Sequence, residues 1–172
     1  MKAYAQKYLD SNFQPLPLDK SGDGKGIFED GWKTKEFNAN HFSDKNNIGL
    51  NLNPPTKQKL SNVDPDSDNA RYFCQKFLPV TATLGLKSPD GKKVLAGTSY
   101  FYKGKLNITT LARNYPDGKV IAELRGEGNI VVAPSIAESR FFNKKFVERV
   151  WVNSIQPVES PDVKKQFNKI CL

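Results

Sequence analysis

The sequence predicts a single domain of the α/β (α+β) class that covers residues 1–172. The length fits one domain, and neither an internal repeat nor a change in composition marks a second one. An apolar, strand-like run leads into Asp64 and is followed by a segment with helical periodicity. Two pairs of strand-like segments follow this helix, which favours a sheet that contains hairpins.

The first 46 residues predict short elements separated by turns. Residues 3–10 carry a helical pattern, which the proline-containing segment that follows ends. Segment 21–26 is rich in glycine but lacks the spacing of a phosphate-binding loop, so we predict a flexible turn. A short polar helix at 40–45 holds the only histidine, His41, which we interpret as a surface or capping residue.

The middle of the chain predicts two strands and a helix around an acidic segment. Residues 47–53 alternate apolar and polar side chains, which is typical of a half-buried strand, and a second strand delivers Asp64. Asp66 or Ser67 is the predicted N-cap of the helix that follows. The apolar face of this helix consists of Ala70, Phe73, Cys74, Phe77 and Leu78.

The second half of the chain predicts two hairpins and a tail. Strands at 80–86 and 94–103 form the first hairpin around a basic turn. Strands at 119–124 and 129–133 form the second. The amphipathic stretch 162–170 is interpreted as packing, with no chemistry assigned to the tail.

Composition limits the class of protein and of partner. The chain has 26 Lys and Arg against 18 Asp and Glu, and its net charge of +8 favours a polyanionic partner. Cys74 and Cys171 are too few for a disulfide framework, and one histidine supports no zinc site. With no signal peptide and no apolar run of the roughly 20 residues that span a membrane, we expect a soluble, cytoplasmic protein with reduced thiols.

Asp64 and Asp66 carry the strongest chemical signal. Residues i and i+2 of an extended segment point to the same side, so both carboxylates can converge on one cation such as Mg²⁺ or Mn²⁺. The spacing alone fits a solvated turn with helix-capping carboxylates equally well. Glu123 lies between apolar neighbours in a predicted strand, where a buried carboxylate needs a partner or a metal.

Several segments, taken in their order and spacing, point to one known family. They are 31–34, 47–50, 62–67 (Asn-Val-Asp-Pro-Asp-Ser), 78–81, 99–103 and 122–135. Together they resemble the primase–polymerase (prim-pol) domain of the archaeo-eukaryotic primase superfamily, found in replication proteins of plasmids, phages and mobile elements. The resemblance spans nearly the whole chain.

The resemblance implies a fold, an activity and a set of partners. The fold would be a mixed-sheet core with an N-terminal α/β part, an RRM-like β-hairpin part and the active site in the cleft between them. The activity would be template-dependent nucleotidyl transfer, as in a DNA primase or polymerase, by a two-metal mechanism with Mg²⁺ or Mn²⁺ on Asp64, Asp66 and Glu123. The partners would be nucleoside triphosphates, a single-stranded DNA template or primer–template, and a helicase domain or protein.

The chain departs from the family pattern at one motif. A Ser-x-His motif contacts the nucleotide phosphates in that family, and here Ser99, or Tyr100 with a one-residue slip, stands at the histidine position. A hydroxyl donates one hydrogen bond but brings no positive charge. We therefore expect Lys87 or Lys103 to supply the charge, and the resemblance adds Ser135 to the nucleotide site.

Nucleic-acid contacts are expected from turn lysines that form a basic rim. They are Lys57, Lys59, Lys92 and Lys93. Three other functions stay open at this point. The first is a catalytically weak or inactive prim-pol-like module that binds nucleotide or single-stranded nucleic acid. The second is another Mg²⁺-dependent transferase that uses Asp-x-Asp. The third is a basic structural domain with no metal site.

Overall fold

The computed structural model shows a mixed α+β architecture with mostly antiparallel sheets and few helices. It describes residues 1–27, 29–106, 109–113, 117–153 and 155–170. The helices are α1 (Lys2–Asp10), α2 (Asp68–Phe77) and α3 (Val163–Ile170), with short 3₁₀ helices at Ala39–His41 and Arg140–Phe142. The strands are β1 (Pro15–Asp19), β2 (Gly26–Ile27), β3 (Asn46–Asn51), β4 (Leu60–Pro65), β5 (Ala82–Lys87), β6 (Val94–Lys103), β7 (Thr110–Arg113), β8 (Val120–Arg125), β9 (Asn129–Val132), β10 (Ile136–Ser139), β11 (Lys145–Trp151) and β12 (Val158–Glu159).

The strands form two sheets. The smaller sheet has the order β2-β1-β3-β9, and the larger has the order β10-β11-β5-β6-β4-β8-β7. The short strand β12 adds to β6 of the larger sheet in the parallel direction, whereas the other pairings are antiparallel. Since neighbouring strands run in opposite directions, the carboxyl end of β4 shares an edge of the sheet with the amino ends of β6 and β8.

The predicted hairpin of segments 119–124 and 129–133 is wrong. The first segment forms β8, which pairs with β4 and β7 in the larger sheet, while the second forms β9, which pairs with β3 in the smaller. The chain crosses between the sheets at 126–128, where the Gly128 carbonyl accepts a hydrogen bond from the Leu52 amide. Alternation predicts that a segment is a strand, but it does not identify the pairing partner.

Two hydrophobic cores hold the layers together. The first lies between the two sheets, where Leu16 and Ile48 of the smaller sheet belong to one cluster with Leu84 and Phe101 of the larger. The second lies between the other face of the larger sheet and helices α2 and α3. The alternating side chains of each strand therefore serve opposite faces of the larger sheet, which is the middle layer of the fold.

Helix α2 confirms part of the predicted apolar face. Ser67 caps the helix, because its hydroxyl oxygen accepts a hydrogen bond from the Ala70 amide at 3.2 Å. Ala70, Cys74 and Leu78 are buried in the second core. Phe73 and Phe77, predicted on the same face, are 43 % and 54 % exposed and stack on each other. The period placed them correctly on one helix face, but the sheet covers only the central part of that face.

Two further predictions about the N-terminal half are confirmed. Helix α1 occupies the predicted segment, and His41 is an exposed capping residue whose Nδ1 accepts a hydrogen bond from the Asn38 amide at 3.2 Å. Cys171 lies outside the described residues. Among those that are described, no helix is long and apolar enough to cross a membrane.

Replacing Phe167 by alanine should destabilise the fold far more than replacing Phe77. Phe167 is fully buried in the second core, so its loss removes apolar contacts and leaves a cavity that costs about 3–5 kcal/mol. Phe77→Ala removes a ring of the same size from an exposed position and should cost less than about 1 kcal/mol. Urea denaturation of both variants measures the difference, and equal losses would show that α3 does not pack on the sheet as described.

Candidate functional site

A cavity of about 200 Å³ lies between the two sheets, next to the first core. Its walls come from β4, β5, β6, β8 and β11 on one side and from β9 on the other, with the 139–141 segment at one edge. The charged residues that line it are Lys25, Asp64, Asp66, Arg125, Glu138, Arg140 and Arg149. The cavity therefore combines three carboxylates with four cationic side chains.

Asp64 and Asp66 lie at the carboxyl end of β4 and both line the cavity. Asp64 pairs across the sheet with Glu123 of β8. The ladder continues one step beyond β4, because the Asp66 amide donates a hydrogen bond to the Ile121 carbonyl at 2.7 Å. The sequence expectation that the two aspartates share one side is met, since alternation along the extended segment places both toward the cavity.

Burial raises the pKa of Asp64 to about 6. This pKa is a net result, in which the neighbouring carboxylates of Asp66 and Glu123 act with burial to raise it, while Arg125 and, more weakly, Arg149 lower it. The two arginines therefore do not fully compensate the desolvation of this carboxylate. Groups whose pKa is perturbed by burial together with specific charges inside a cleft are typical of functional sites.

Asp66 makes one strong contact and leaves one oxygen without a partner. Its Oδ1 accepts a hydrogen bond from Arg140 Nη1 at 2.9 Å. Its Oδ2 is buried and has no hydrogen-bond partner among the described residues. Burial also raises the pKa of this carboxyl, against the opposing effect of Arg140. A buried carboxylate oxygen without a partner is costly, and a bound cation would satisfy it.

Glu123 is adjacent to the aspartates but is engaged by an arginine. Its carboxylate forms an ion pair with Arg125, whose Nη2 is also 3.8 Å from Asp64 Oδ2. Residues i and i+2 of a strand share a face, so β8 itself brings Arg125 beside Glu123. Glu123 is not among the residues that line the cavity. Its expected role as a third metal ligand would require the carboxylate to exchange Arg125 for the ion.

The residues present fit a divalent cation as a two-carboxylate site. In the part of the chain that the structure describes, no group of three or more His, Cys, Asp and Glu has the spacing of a complete metal site. Mg²⁺, however, is commonly held by one or two carboxylates and completed by water and substrate phosphates. The unpartnered Asp66 Oδ2 and the incompletely compensated Asp64 are the two groups that such a cation would contact.

Ser99 and Tyr100 lie on opposite faces of β6. Ser99 lines the cavity, and its Oγ accepts a hydrogen bond from Asn62 Nδ2 at 2.7 Å. Tyr100 lies in the second core beside Cys74, where burial raises the pKa of the phenol. Of the two residues that could stand at the histidine position, Ser99 faces the cavity. Tyr100 does not, so the alternative alignment is wrong as a cavity position.

The other residues expected at the nucleotide site lie elsewhere. Lys87 forms an ion pair with Glu148 on β11, and Lys103 lies at the far end of β6 opposite Leu60. Ser135 is buried, and its hydroxyl accepts from the Ile48 amide at 2.8 Å and donates to the Ile48 carbonyl at 3.1 Å. None of these three residues lines the cavity, so the structure does not bring them together with the two aspartates there. Sequence alone did not reveal which strand ends meet.

The four expected nucleic-acid lysines do not form one rim. Lys59 precedes β4 and binds through its carbonyl to the Gly104 amide, at the end of β6. Lys92 and Lys93 are exposed in the turn before the start of β6. Ten strand residues, about 30 Å, separate the two groups. Lys57 is half-buried near Lys59.

Lys59 contributes to a second cavity of about 300 Å³. Lys33 and Lys105 line it as well, together with the polar side chains of Asn51 and Asn53. Glu127 is the single acidic residue among its described lining residues. This cavity has a net positive charge and is lined by different residues from the first.

Several residues that line the first cavity were not predicted from the sequence. Segment 21–26, predicted as a flexible turn, instead packs on β10. Gly24 has a φ of +77°, and a Cβ there would lie 2.8 Å from the Ile136 carbonyl oxygen. This contact brings Lys25 to the cavity. Arg149 lies in the tail to which no chemistry was assigned, although its alternation with Val147 and Trp151 on one face of a strand was a signal.

Replacing Asp64 by asparagine should stabilise the protein increasingly as the pH rises from 4 to 7. The folded-state pKa of about 6 exceeds the ordinary value of 3.8, so the native state binds the proton more tightly and wild-type stability falls as Asp64 ionises. The full difference corresponds to about 3 kcal/mol, and because 28 % of the side chain is exposed we expect about 1 kcal/mol. Urea denaturation in EDTA at both pH values measures it. A pH-independent difference between the two proteins would contradict the prediction.

Comparisons with protein-family models, with curated proteins and with solved structures found no match to this chain. The residues of the two cavities and the motifs of the sequence are therefore the basis for assigning a function.

Proposed function

We propose that the protein carries out template-dependent nucleotidyl transfer from nucleoside triphosphates, as a DNA primase or polymerase of the prim-pol type. One observation carries the proposal, namely that a single cavity combines the paired carboxylates of Asp64 and Asp66 with a majority of cationic side chains. Carboxylates bind a divalent cation, and arginines bind phosphate oxygens, so both halves of a metal–polyphosphate substrate find suitable groups.

The residues divide into two roles under this proposal. Asp64 and Asp66 hold Mg²⁺ or Mn²⁺, which when bound neutralises phosphate charge and lowers the pKa of the attacking hydroxyl. Arg140 fixes Asp66 through its 2.9 Å hydrogen bond and leaves Oδ2 free to face the cation. Glu123 holds Arg125 beside Asp64, which places a guanidinium where a phosphate oxygen can reach it.

The order and spacing of the motifs support the prim-pol form of the proposal over another Asp-x-Asp transferase. Under this proposal, the cavity between the two sheets would correspond to the cleft that the resemblance implies between an N-terminal part and a hairpin part. Single-stranded DNA template or primer–template is the proposed polyanionic partner, in keeping with the net charge of +8. The association with a helicase domain or protein rests on the resemblance alone.

A second candidate function is nucleotide or single-stranded nucleic-acid binding without catalysis. Two observations favour this second function. Ser99 brings no charge to the cavity, and arginines already pair with Asp66 and Glu123. The two candidates differ in one measurement. A catalyst extends a template-bound primer with Mg²⁺ or Mn²⁺, whereas a binding module retains nucleotide and releases no pyrophosphate.

Asp64→Asn and Asp66→Asn should each lower primer extension by roughly 100-fold or more, because loss of a direct ligand should cost at least as much as loss of a group behind it. Asp68→Asn is the matched control, since Asp68 lies two residues after Asp66, is 77 % exposed and is paired with Arg71. It should leave the extension rate unchanged. Equal activity of all three variants would remove the aspartates from the site, and absence of extension in the wild type would favour the binding module.

Template binding should depend on the lysines of the second cavity. Replacing Lys33, Lys59 and Lys105 by glutamine should weaken binding of single-stranded DNA and reduce the slope of log affinity against log salt by up to about 2, or about 0.7 for each lost phosphate contact. The control replaces the same number of exposed lysines on α3. They are Lys164, Lys165 and Lys169.

Fluorescence anisotropy from low to physiological salt distinguishes the two triple variants. Both remove three positive charges, so a general effect of net charge changes them equally. A larger loss for the second-cavity variant supports a template site there. Identical curves would show that the cavity has no special role in binding.

A further inference from the structure

Arg149 differs from the other four arginines of the chain. Arg71 and Arg125 form ion pairs with acidic residues on their own elements, and Arg140 binds Asp66. Arg113 donates to the Gly118 carbonyl at 2.8 Å. Arg149 lines the first cavity, and its Nη1 is buried with no acceptor among the described residues. A guanidinium group in this position has hydrogen-bonding capacity that the protein itself does not use.

The opposite wall of the cavity carries a second unused donor. Asn129 begins β9 in the smaller sheet, and its Nδ2 is buried without an acceptor among the described residues. Asn129 lines the same cavity as Arg149. Two donors on facing walls, each without an acceptor, indicate a ligand rich in acceptor oxygens.

The charges around Arg149 favour an anion that arrives with a cation. Asp64 and Asp23 are the carboxylates that act on the guanidinium, yet neither forms an ion pair with it. Asp64 also belongs to the proposed cation site, so an anion bound by Arg149 would lie next to that cation. Phosphate suits this place, because guanidinium groups bind phosphate oxygens through two parallel hydrogen bonds and divalent cations bind the same groups.

Strand geometry places Arg149 near the position where positive charge is lacking. Arg149 pairs with Leu86 of β5, and Leu84 of the same strand pairs with Ser99 of β6. All four side chains line the cavity, so the guanidinium and the Ser99 hydroxyl share one wall. A single strand separates the two functional side chains.

We propose that Arg149 and Asn129 form a phosphate subsite that binds the phosphate chain of a nucleoside triphosphate. The subsite supplies the positive charge that Ser99 lacks, a role that neither Lys87 nor Lys103 can fill from its observed position. This assignment of the ligand rests on the proposed function. A cavity of about 200 Å³ has room for part of a phosphate chain.

The test uses inorganic tripolyphosphate, which carries the phosphate chain without a base or sugar. Calorimetric titration of the whole chain, with Mg²⁺ and separately with EDTA, measures binding. Arg149→Gln should weaken the affinity by about tenfold or more, since one charge-assisted bidentate contact is lost. Arg149→Lys should retain part of the affinity, because the charge stays while the planar fork is lost. Arg113→Gln, an exposed arginine outside the cavity lining, should bind as the wild type does.

A purely structural role of Arg149 predicts a different result. In that case Arg149→Gln lowers the urea midpoint while the folded protein binds tripolyphosphate normally. Our proposal predicts an unchanged or higher midpoint, because the substitution removes a buried donor that has no partner. Asn129→Asp is the second variant, and it should weaken binding by placing a carboxylate in the subsite.

The subsite and the proposed function fail in different experiments. Tripolyphosphate binding that is weakened by Arg149→Gln and Asn129→Asp supports the subsite even when the protein extends no primer. Primer extension by a wild type that binds no tripolyphosphate, or binding that both variants leave intact, overturns the subsite while nucleotidyl transfer stands.

Discussion

Buried charge is the constraint on which the arrangement of the site depends. Asp64 and Asp66 leave water at the end of a strand that lies in the interior of the larger sheet, and an isolated carboxylate there would be costly. Arg125 and Arg140 reduce this cost, but the raised pKa values show that they do not remove it. The remaining cost of burying charged and polar groups is localised, because it falls on the oxygens and donors that face the cavity. A ligand whose charges are opposite to those of the cavity groups would gain binding free energy by pairing with them.

Local features of the sequence predicted the strand and the capped helix on either side of Asp64 and Asp66. The strand-like run before Asp64, the helical period after Ser67 and the capping preference of serine are properties of neighbouring residues, so they can be recognised without a structure. The fold class followed for the same reason. The α+β composition depends on the types of the elements, and those were mostly identified.

The pairing of strands that are distant in the chain could not be predicted from the sequence. Strands β8 and β9 have the pattern of a hairpin but join different sheets, and this places Asn129 opposite Arg149. Lys87 and Lys103 have the charge expected of phosphate ligands, but their positions depend on which strands flank β5 and β6. Phe73 and Phe77 show the same limit, because a helical period defines a face and not the extent of the layer that covers it.

The crossing between the sheets has a mechanical consequence for the cavity. The segment at 126–128 joins β8 and β9, which contribute to opposite walls, so its conformation sets how far apart the walls stand. Gly126 is in close contact with the backbone of Leu106, and a Cβ there would lie 2.2 Å from its carbonyl oxygen. This close contact limits the movement of Gly126 and so restrains the gap between the walls. The donors on the two walls are thus preorganised, and a ligand that fits them loses little affinity to conformational ordering of the backbone.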